Sequence, residues 1–287
     1  MKKFVKLWIV LLCLISNISV FAANKVPEKV ITMGPNATEM LVALGLQDKI
    51  IGTTLNNHSR GPLEQYKDIY EKLPELAFAS ASRESVLASG ADYIFGIDWE
   101  FGENGLNIEE LNQYGMEVFV EKAKTIDEVY QEIEVLSKVF AVEEKGAALI
   151  SQLKEEIASV QAPTETPKKV LVLDSLENGI FTAGGTNFET RLIERAGAIN
   201  IFDDIKEKEW ATVSLEEVLA RNPEYIIVHD YDQPSVEDKI AMIKADPILS
   251  QLEAVKKERF IILELESVLP GVRMATTITK IAEAIKE

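Results

Sequence analysis

Cysteine is all but missing from the 287 residues: there is one, Cys13, inside an N-terminal apolar stretch. Downstream of it there can be no disulfide framework, no thiolate metal site and no cysteine nucleophile. Histidine is almost as scarce, with only His58 and His229. Capture of bare zinc or manganese usually takes several histidines with carboxylates, so it is disfavoured, and no direct metal ligand is expected. His229 closes the apolar run "YIIVH", where a structural histidine with satisfied partners is the simpler reading. Positive charge is short as well. Lys and Arg total 30 against 47 Asp and Glu, and no basic run occurs after residue 6, which argues against a nucleic-acid partner. Catalytic signatures are also wanting. "ENGIFTAGG" has neither phosphate-loop nor dinucleotide spacing, and no G-x-S-x-G elbow or H-E-x-x-H exists. No catalytic residue and no cofactor are expected.

What is present begins with an export signal. Lys2, Lys3 and Lys6 precede "LWIVLLCLI", then a polar break and "SVFA", with Val20 and Ala22 small enough for the −3 and −1 positions of a cleavage site. The apolar run is too short to span a bilayer, and cleavage is expected after Ala22. Leu12 stands where a lipoprotein site wants a small residue, so no lipid anchor is expected at Cys13. Losing three lysines and no acid takes the net charge from −17 to −20.

The rest alternates strand and helix patterns. "KVITM" and "KIIGTT" read as strands around a helix begun at Asn36, with Glu39 as capping-box partner. "DYIFGI", "IEELNQYG" and "EVFV" continue as strand, helix and strand. From Thr125, with Glu128 completing a capping box, apolar residues recur at helical spacing for more than thirty residues. An interruption near Ala141 to Glu143 can divide this run, and "QAPTETPKK" ends it. Alternation then resumes with "KVLVLD", "TNFETRLIERAG" (Thr186 and Glu189 as capping box), "EYIIVHD", "SVEDKIAMIKA", "RFIILE" and a final amphipathic helix. The expected organisation is a signal over 1–22, an α/β lobe over 23–124, a helical segment over 125–161 that includes an interdomain helix, and a second α/β lobe over 162–287.

One unit occurs twice, 132 residues apart: "SRESVLASGADYIF" from Ser82 and "SLEEVLARNPEYII" from Ser214. Ser82 and Ser214 read as helix N-caps, which puts Glu84 and Glu216 at the second helical position. An acid there complements the helix dipole, and that alone can account for each glutamate. In the second copy Glu217 is the expected capping-box partner, leaving Glu216 free. Matched acids on matched lobes also suit a two-fold symmetric partner.

"MGPNATEMLVALGLQDKIIGTT", the repeated units, "FTAGGTNFETRLIERAGAINIFDDIKEKEWATVSLEEVLARNPEYIIV" and "LPGVRMATTITKIAEAI" resemble periplasmic substrate-binding proteins of ABC importers. The branch is the helical-backbone one that takes ferric siderophores, cobalamin and haem. The resemblance implies two Rossmann-like lobes with mostly parallel sheets, joined by a single long interdomain helix, with ligand in the cleft between. It also implies a monomer in the periplasm and an inner-membrane permease dimer as partner, docked by one glutamate per lobe; Glu84 and Glu216 hold the matching positions.

In such a fold, loops at the inner strand ends line the cleft: "GPNAT", "TLNNHSRG", "DWEFGENG", "DSLENG", "KEKEWAT", "DYDQP" and "ESVLPGVR". They supply the expected ligand contacts Asn36, His58, Arg60, Trp99, Trp210, Tyr231 and Arg273. Trp99 and Trp210, the tryptophans left once Trp8 departs with the signal, fall one in each lobe. Flat aromatic faces suit conjugated or chelated ligands, and arginines suit anionic ones. Trp210 and Arg273 match positions occupied by tryptophan and arginine in relatives; each is equally a packing or ion-pairing residue on its own pattern. Val272 stands where relatives often have a proline, and His58 and Arg60 depart from the usual pattern. The expected ligand is a ferric siderophore or related iron chelate, with a corrinoid next and haem third. A bare-metal binder and an enzyme on a similar fold rank behind these.

Overall fold

The computed structural model describes residues 25–55, 58–102, 105–161 and 166–286. The expected signal, with Cys13, and positions 162–165 of the expected linker lie outside these residues. Strands β1 (Val30–Met33), β2 (Ile50–Thr54), β3 (Tyr93–Ile97) and β4 (Glu117–Glu121) form a parallel sheet in the order β2-β1-β3-β4. The central pair, β1 and β3, is buried at every position, so both read as nearly unbroken apolar runs. Helices α1 (Pro35–Ala43), α2 (Arg83–Ala88) and α3 (Ile108–Gln113) connect these strands.

The connector is two helices, α4 (Ile126–Val139) and α5 (Glu143–Ser159), divided where the sequence pattern falters. Ala141 takes the left-handed conformation at φ 54, and the chain reverses. Thr125 caps α4 as its spacing indicates, the hydroxyl accepting from Glu128 N at 3.2 Å. Gly146 lets α5 lie close against α4, since a Cβ there would stand 2.5 Å from the Ser137 Cβ. One helix, α5, then makes the crossing between lobes. Near its start Lys145 Nζ donates to Gly45 O, just past α1, at 3.4 Å. Near its end Ile157 O accepts from Arg195 in the second lobe at 2.6 Å. The rise between those residues is about 18 Å at 1.5 Å per residue.

The second lobe contains α6 (Phe188–Arg195), α7 (Leu215–Arg221), α8 (Val236–Ala245) and α9 (Met274–Ala284). Its strands β5 (Lys168–Leu173), β7 (Ala198–Asn200), β9 (Tyr225–Asp230) and β10 (Phe260–Glu264) form a parallel sheet in the order β10-β9-β5-β7. An antiparallel pair, β6 (Ile180–Ala183) and β8 (Trp210–Val213), stands beside it. A single apolar cluster joins Met40 and Leu41 of the first lobe, Ile150 and Leu153 of α5, and Leu192 and Ile278 of the second. The lobes therefore share packed core through the connector. Among the described residues no helix is long and apolar enough to cross a membrane.

Several helix starts differ from the sequence reading. Asn36 does not cap α1. Gly34 stands at the boundary with φ 92, a conformation that suits glycine, and Pro35 opens the first turn. Asn36 is thereby buried inside the helix and bonds across the lobes. Thr186 likewise gives way to Asn187, whose side-chain oxygen accepts from Glu189 N at 2.9 Å. Ser82 and Ser214 do cap α2 and α7, accepting from Ser85 N and Glu217 N at 3.1 Å each. The Glu217 carboxylate, however, pairs with Arg221 at 2.7 Å instead of closing a capping box.

Candidate functional site

In both sheets the strands are parallel, so their carboxyl ends gather on one side of each lobe, and the segments that follow them meet across the cleft. One cavity of ≈ 510 Å³ is walled by Ile97, Asp98, Trp99 and Glu121 to Lys124 from the first lobe, facing Asn187, Phe188, Glu209, Trp210 and Val268 to Pro270 from the second. A neighbouring cavity of ≈ 310 Å³ is lined by His58, Trp99, Asp174, Phe181, Trp210, Tyr231, Leu265 and Leu269. Trp99, Trp210 and Leu269 border both. The two tryptophans, contributed by opposite lobes, form the shared wall.

The aromatic groups interlock. Trp210 stacks on Phe181 with centroids 5.3 Å apart and planes 17° from parallel. The His58 ring lies edge-on to Trp99 at 6.4 Å and to Tyr231 at 5.7 Å, linking the lobes. Trp99 is 43% exposed, so much of its surface is open to a ligand.

Beneath Trp210 lies a buried polar network. His229, fully buried, places Nδ1 2.9 Å from Asp174 and Nε2 3.1 Å from both oxygens of Glu189. Burial alone would lower the imidazole pKa. The charge of Glu189 and the hydrogen bonds of Asp174 and Glu189 outweigh it and raise the pKa to about 9. Burial works against the Asp174 carboxylate too, yet the His229 bond holds its pKa below the usual range. Tyr231 donates to the second Asp174 oxygen at 2.7 Å. Lys239 Nζ donates to the carbonyls of Asp174 and His229 at 2.9 Å each and lies 4.0 Å from the Tyr231 ring centroid. These bonds set the positions of Tyr231 and Trp210 from below. Among the described residues no group of three or more His, Cys, Asp or Glu is placed to hold a metal ion.

The expected contacts divide into two groups. His58, Trp99, Trp210 and Tyr231 come together around the smaller cavity, and Arg60 is not part of its lining. Arg60 is bound to Asp230 from Nε at 2.9 Å and Nη2 at 2.8 Å, and to the Asp232 carbonyl at 3.2 Å, so it ties the lobes together. Asn36 and Arg273 face elsewhere. Asn36 is buried and donates to Glu266 O at 2.9 Å and Pro270 O at 3.0 Å. Arg273, 5% exposed, grips Glu39 at 2.7 and 3.0 Å, donates to Gly61 O at 2.7 Å and stands 3.5 Å from Glu266. Both belong to the packed joint behind the cleft, where the Asn36 amide nitrogen and the Arg273 guanidinium already have partners, while Asn36 Oδ1 is buried without one among the described residues.

The end of β4 and the loop after it are absent from the seven cleft loops expected from sequence, yet the first supplies Glu121 and the second Lys122, Ala123 and Lys124. Applying the strand-end rule to "EVFVE" would have found them. Lys124 reaches over to pair with Glu209 of the second lobe. Phe181 and Phe188 lacked a local signal, because each reads as ordinary packing, whereas the Val268–Pro270 floor falls within the expected loop "ESVLPGVR".

On the outside, Glu84 and Glu216 each occupy the second residue of their helix and are exposed. Each helix runs back antiparallel to its strands, so its first turn lies at the cleft end of the lobe. Arg83 is drawn mainly to Glu110, at 2.8 Å from Nε, and only loosely to Glu84 at 3.7 Å.

Residues 30–265 match the family model described as "Periplasmic binding protein". The "Uncharacterized ABC transporter substrate-binding lipoprotein YvrC" of Bacillus subtilis is 26% identical over 269 residues, covering 91% of this chain and 81% of that protein. The "Vitamin B12-binding protein" of Vibrio parahaemolyticus is 27% identical over 212 residues, covering 72% of this chain and 73% of that one. The crystal structure of a periplasmic binding protein from Veillonella parvula superposes with a TM-score of 0.84 at 26% identity, covering 91% and 92% of the two chains. With a cleft at the strand ends, a one-helix crossing and this match over most of its length, the chain belongs to the periplasmic binding protein family, the solute-capturing component of ABC importers, and binds its substrate rather than transforming it.

Proposed function

We propose that this protein is exported by its N-terminal signal and, as a monomer outside the inner membrane, captures a bulky metal chelate of low net charge, a corrinoid foremost. It then delivers the chelate to a permease dimer through Glu84 and Glu216. The observation that carries the reading is the pair of tryptophans, one from each lobe, bordering both cleft cavities. Two large aromatic faces contributed by opposite lobes suit a broad, flat or globular ligand better than a bare ion or a sugar.

The charge of the cleft selects among the chelates. An anionic ferric catecholate or haem propionate needs free cations, but Arg60, Arg273 and Lys124 are already held by carboxylates. Lys122 is the one cation of the larger cavity's wall without an ion pair among the described residues, and Asp98 stands in the same wall. This balance ranks a corrinoid or an uncharged iron hydroxamate above the anionic siderophores that the two arginines suggest in the sequence. The vitamin B12-binding relative agrees with that order. Titrating the tryptophan fluorescence of residues 23–287 with cyanocobalamin, a ferric hydroxamate, a ferric catecholate and haem tests it. Saturable quenching by the corrinoid is expected; saturation by the catecholate or haem alone overturns the reading.

A further inference from the structure

The wall of the larger cavity contains one side chain whose chemistry the aromatic stacking leaves unused. Glu121 is the last residue of β4, paired in register with Ile97, which lines the same cavity. It is 3% exposed, and neither carboxyl oxygen has a hydrogen-bond partner among the described residues. The charged groups that act on it are both acids: Glu132 from α4, whose own Oε1 accepts from Lys122 N at 2.8 Å, and Asp98 from the segment after β3. Burial first, then these two acids, push its pKa well above the usual carboxylate range. Its surroundings thus favour the uncharged form of Glu121, in which a donor and an acceptor are both unused.

Such a group is unfavourable in a fold that needs only volume at this position, and leucine would serve packing better. Buried polar atoms without partners are rare enough to call for a cause. Here the residue borders the cavity that receives the ligand.

We propose that Glu121 is a specificity residue of the cleft, its carboxyl group pairing with a carboxamide on the ligand's periphery, accepting from the amide N–H and donating to the amide oxygen. This rests on the reading of the ligand as a metal chelate of low charge, and it adds the functional group by which the cleft tells one chelate from another. A carboxamide completes both hydrogen bonds without adding charge. A carboxylate in its place would bring negative charge beside Asp98 and Glu132, with only Lys122 near in the wall to offset it.

The test uses residues 23–287 as wild type, Glu121→Leu and Glu121→Gln, with dicyanocobinamide, which bears peripheral carboxamides, and dicyanocobyrinic acid, its carboxylate counterpart on the same macrocycle. Two quantities are read: the unliganded melting temperature and the affinity for each probe by tryptophan quenching. Glu121→Leu is expected to raise the melting temperature, weaken dicyanocobinamide by about tenfold or more, and abolish the preference for amide over acid. Glu121→Gln, which keeps a pairing group, should stay within about threefold of wild type for dicyanocobinamide. A lower melting temperature in Glu121→Leu means that the acid has a structural partner, and overturns the proposal. So does an unchanged dicyanocobinamide affinity. If neither corrinoid binds the wild-type protein, the corrinoid reading fails by itself, and Glu121 is judged on ferrioxamine B, an iron hydroxamate with amide groups. Weakening there in Glu121→Leu upholds the amide contact; unchanged affinity, or no binding, overturns it.

Discussion

Arg273 gives the sharpest separation between a ligand contact and a structural residue. Replacing it with methionine keeps much of the stem and removes a guanidinium that holds Glu39 at 2.7 and 3.0 Å and stands 3.5 Å from Glu266. Both acids are 1% exposed, so each would be left as a buried carboxyl without its cation. Breaking a buried pair from one side costs about 3–5 kcal/mol, chiefly through the stranded charge. For a chain of this size that is a fall of about 6–10 °C in melting temperature, taking about 2 °C per kcal/mol. Adding Glu39→Gln to Arg273→Met should recover part of the loss, because one stranded acid is neutralised. Differential scanning calorimetry of the single and double variants measures both effects, and fluorescence titration measures ligand affinity alongside. Affinity should remain within about threefold, since the guanidinium is occupied behind the cleft floor. A variant that melts normally but no longer binds would refute the reasoning and return Arg273 to the ligand.

Trp99→Ala and Trp210→Ala should each weaken ligand binding by about tenfold or more, given roughly 1–3 kcal/mol per aromatic stack, with little change in melting temperature for Trp99→Ala; equal affinities in a titration would exclude the stacking role. Combining Glu84→Ala and Glu216→Ala should leave affinity unchanged and abolish uptake in transport assays, whereas lost affinity would assign these acids to the cleft or the fold. The pH dependence follows from His229. Its pKa is raised to about 9, so its contribution is complete below about pH 6.5 and is lost as pH rises through about 9. At roughly 1.4 kcal/mol per pH unit, this amounts to roughly 3 kcal/mol. Urea unfolding midpoints between pH 6 and 10 should fall accordingly and flatten in His229→Gln; a level wild-type profile would contradict the paired imidazolium. Free and ligand-bound structures should differ by a few degrees of lobe rotation, because packed core runs through α5 from one lobe to the other; a wide clamshell motion would count against that.

Alternation of strands and helices, the serine caps of the repeated unit and a helical connector between two α/β lobes were all legible in the amino-acid sequence. Each is a local pattern, fixed by hydrophobic period and by the few side chains able to bond a helix terminus. The occurrence of one tryptophan per lobe was legible for the same reason: it needs only the order of elements. The fates of the polar residues were decided by tertiary structure. Arg273 and Glu39 are 234 positions apart and Arg60 and Asp230 are 170, so no local period records that these charges neutralise one another. Asn36 looks like a cap until Gly34 is seen to take the turn, and Glu121 looks like the polar end of an edge strand until a cavity is found beside it. Burial and charge pairing depend on which strand ends meet across the cleft, and only the packing of two lobes on one connecting helix determines that.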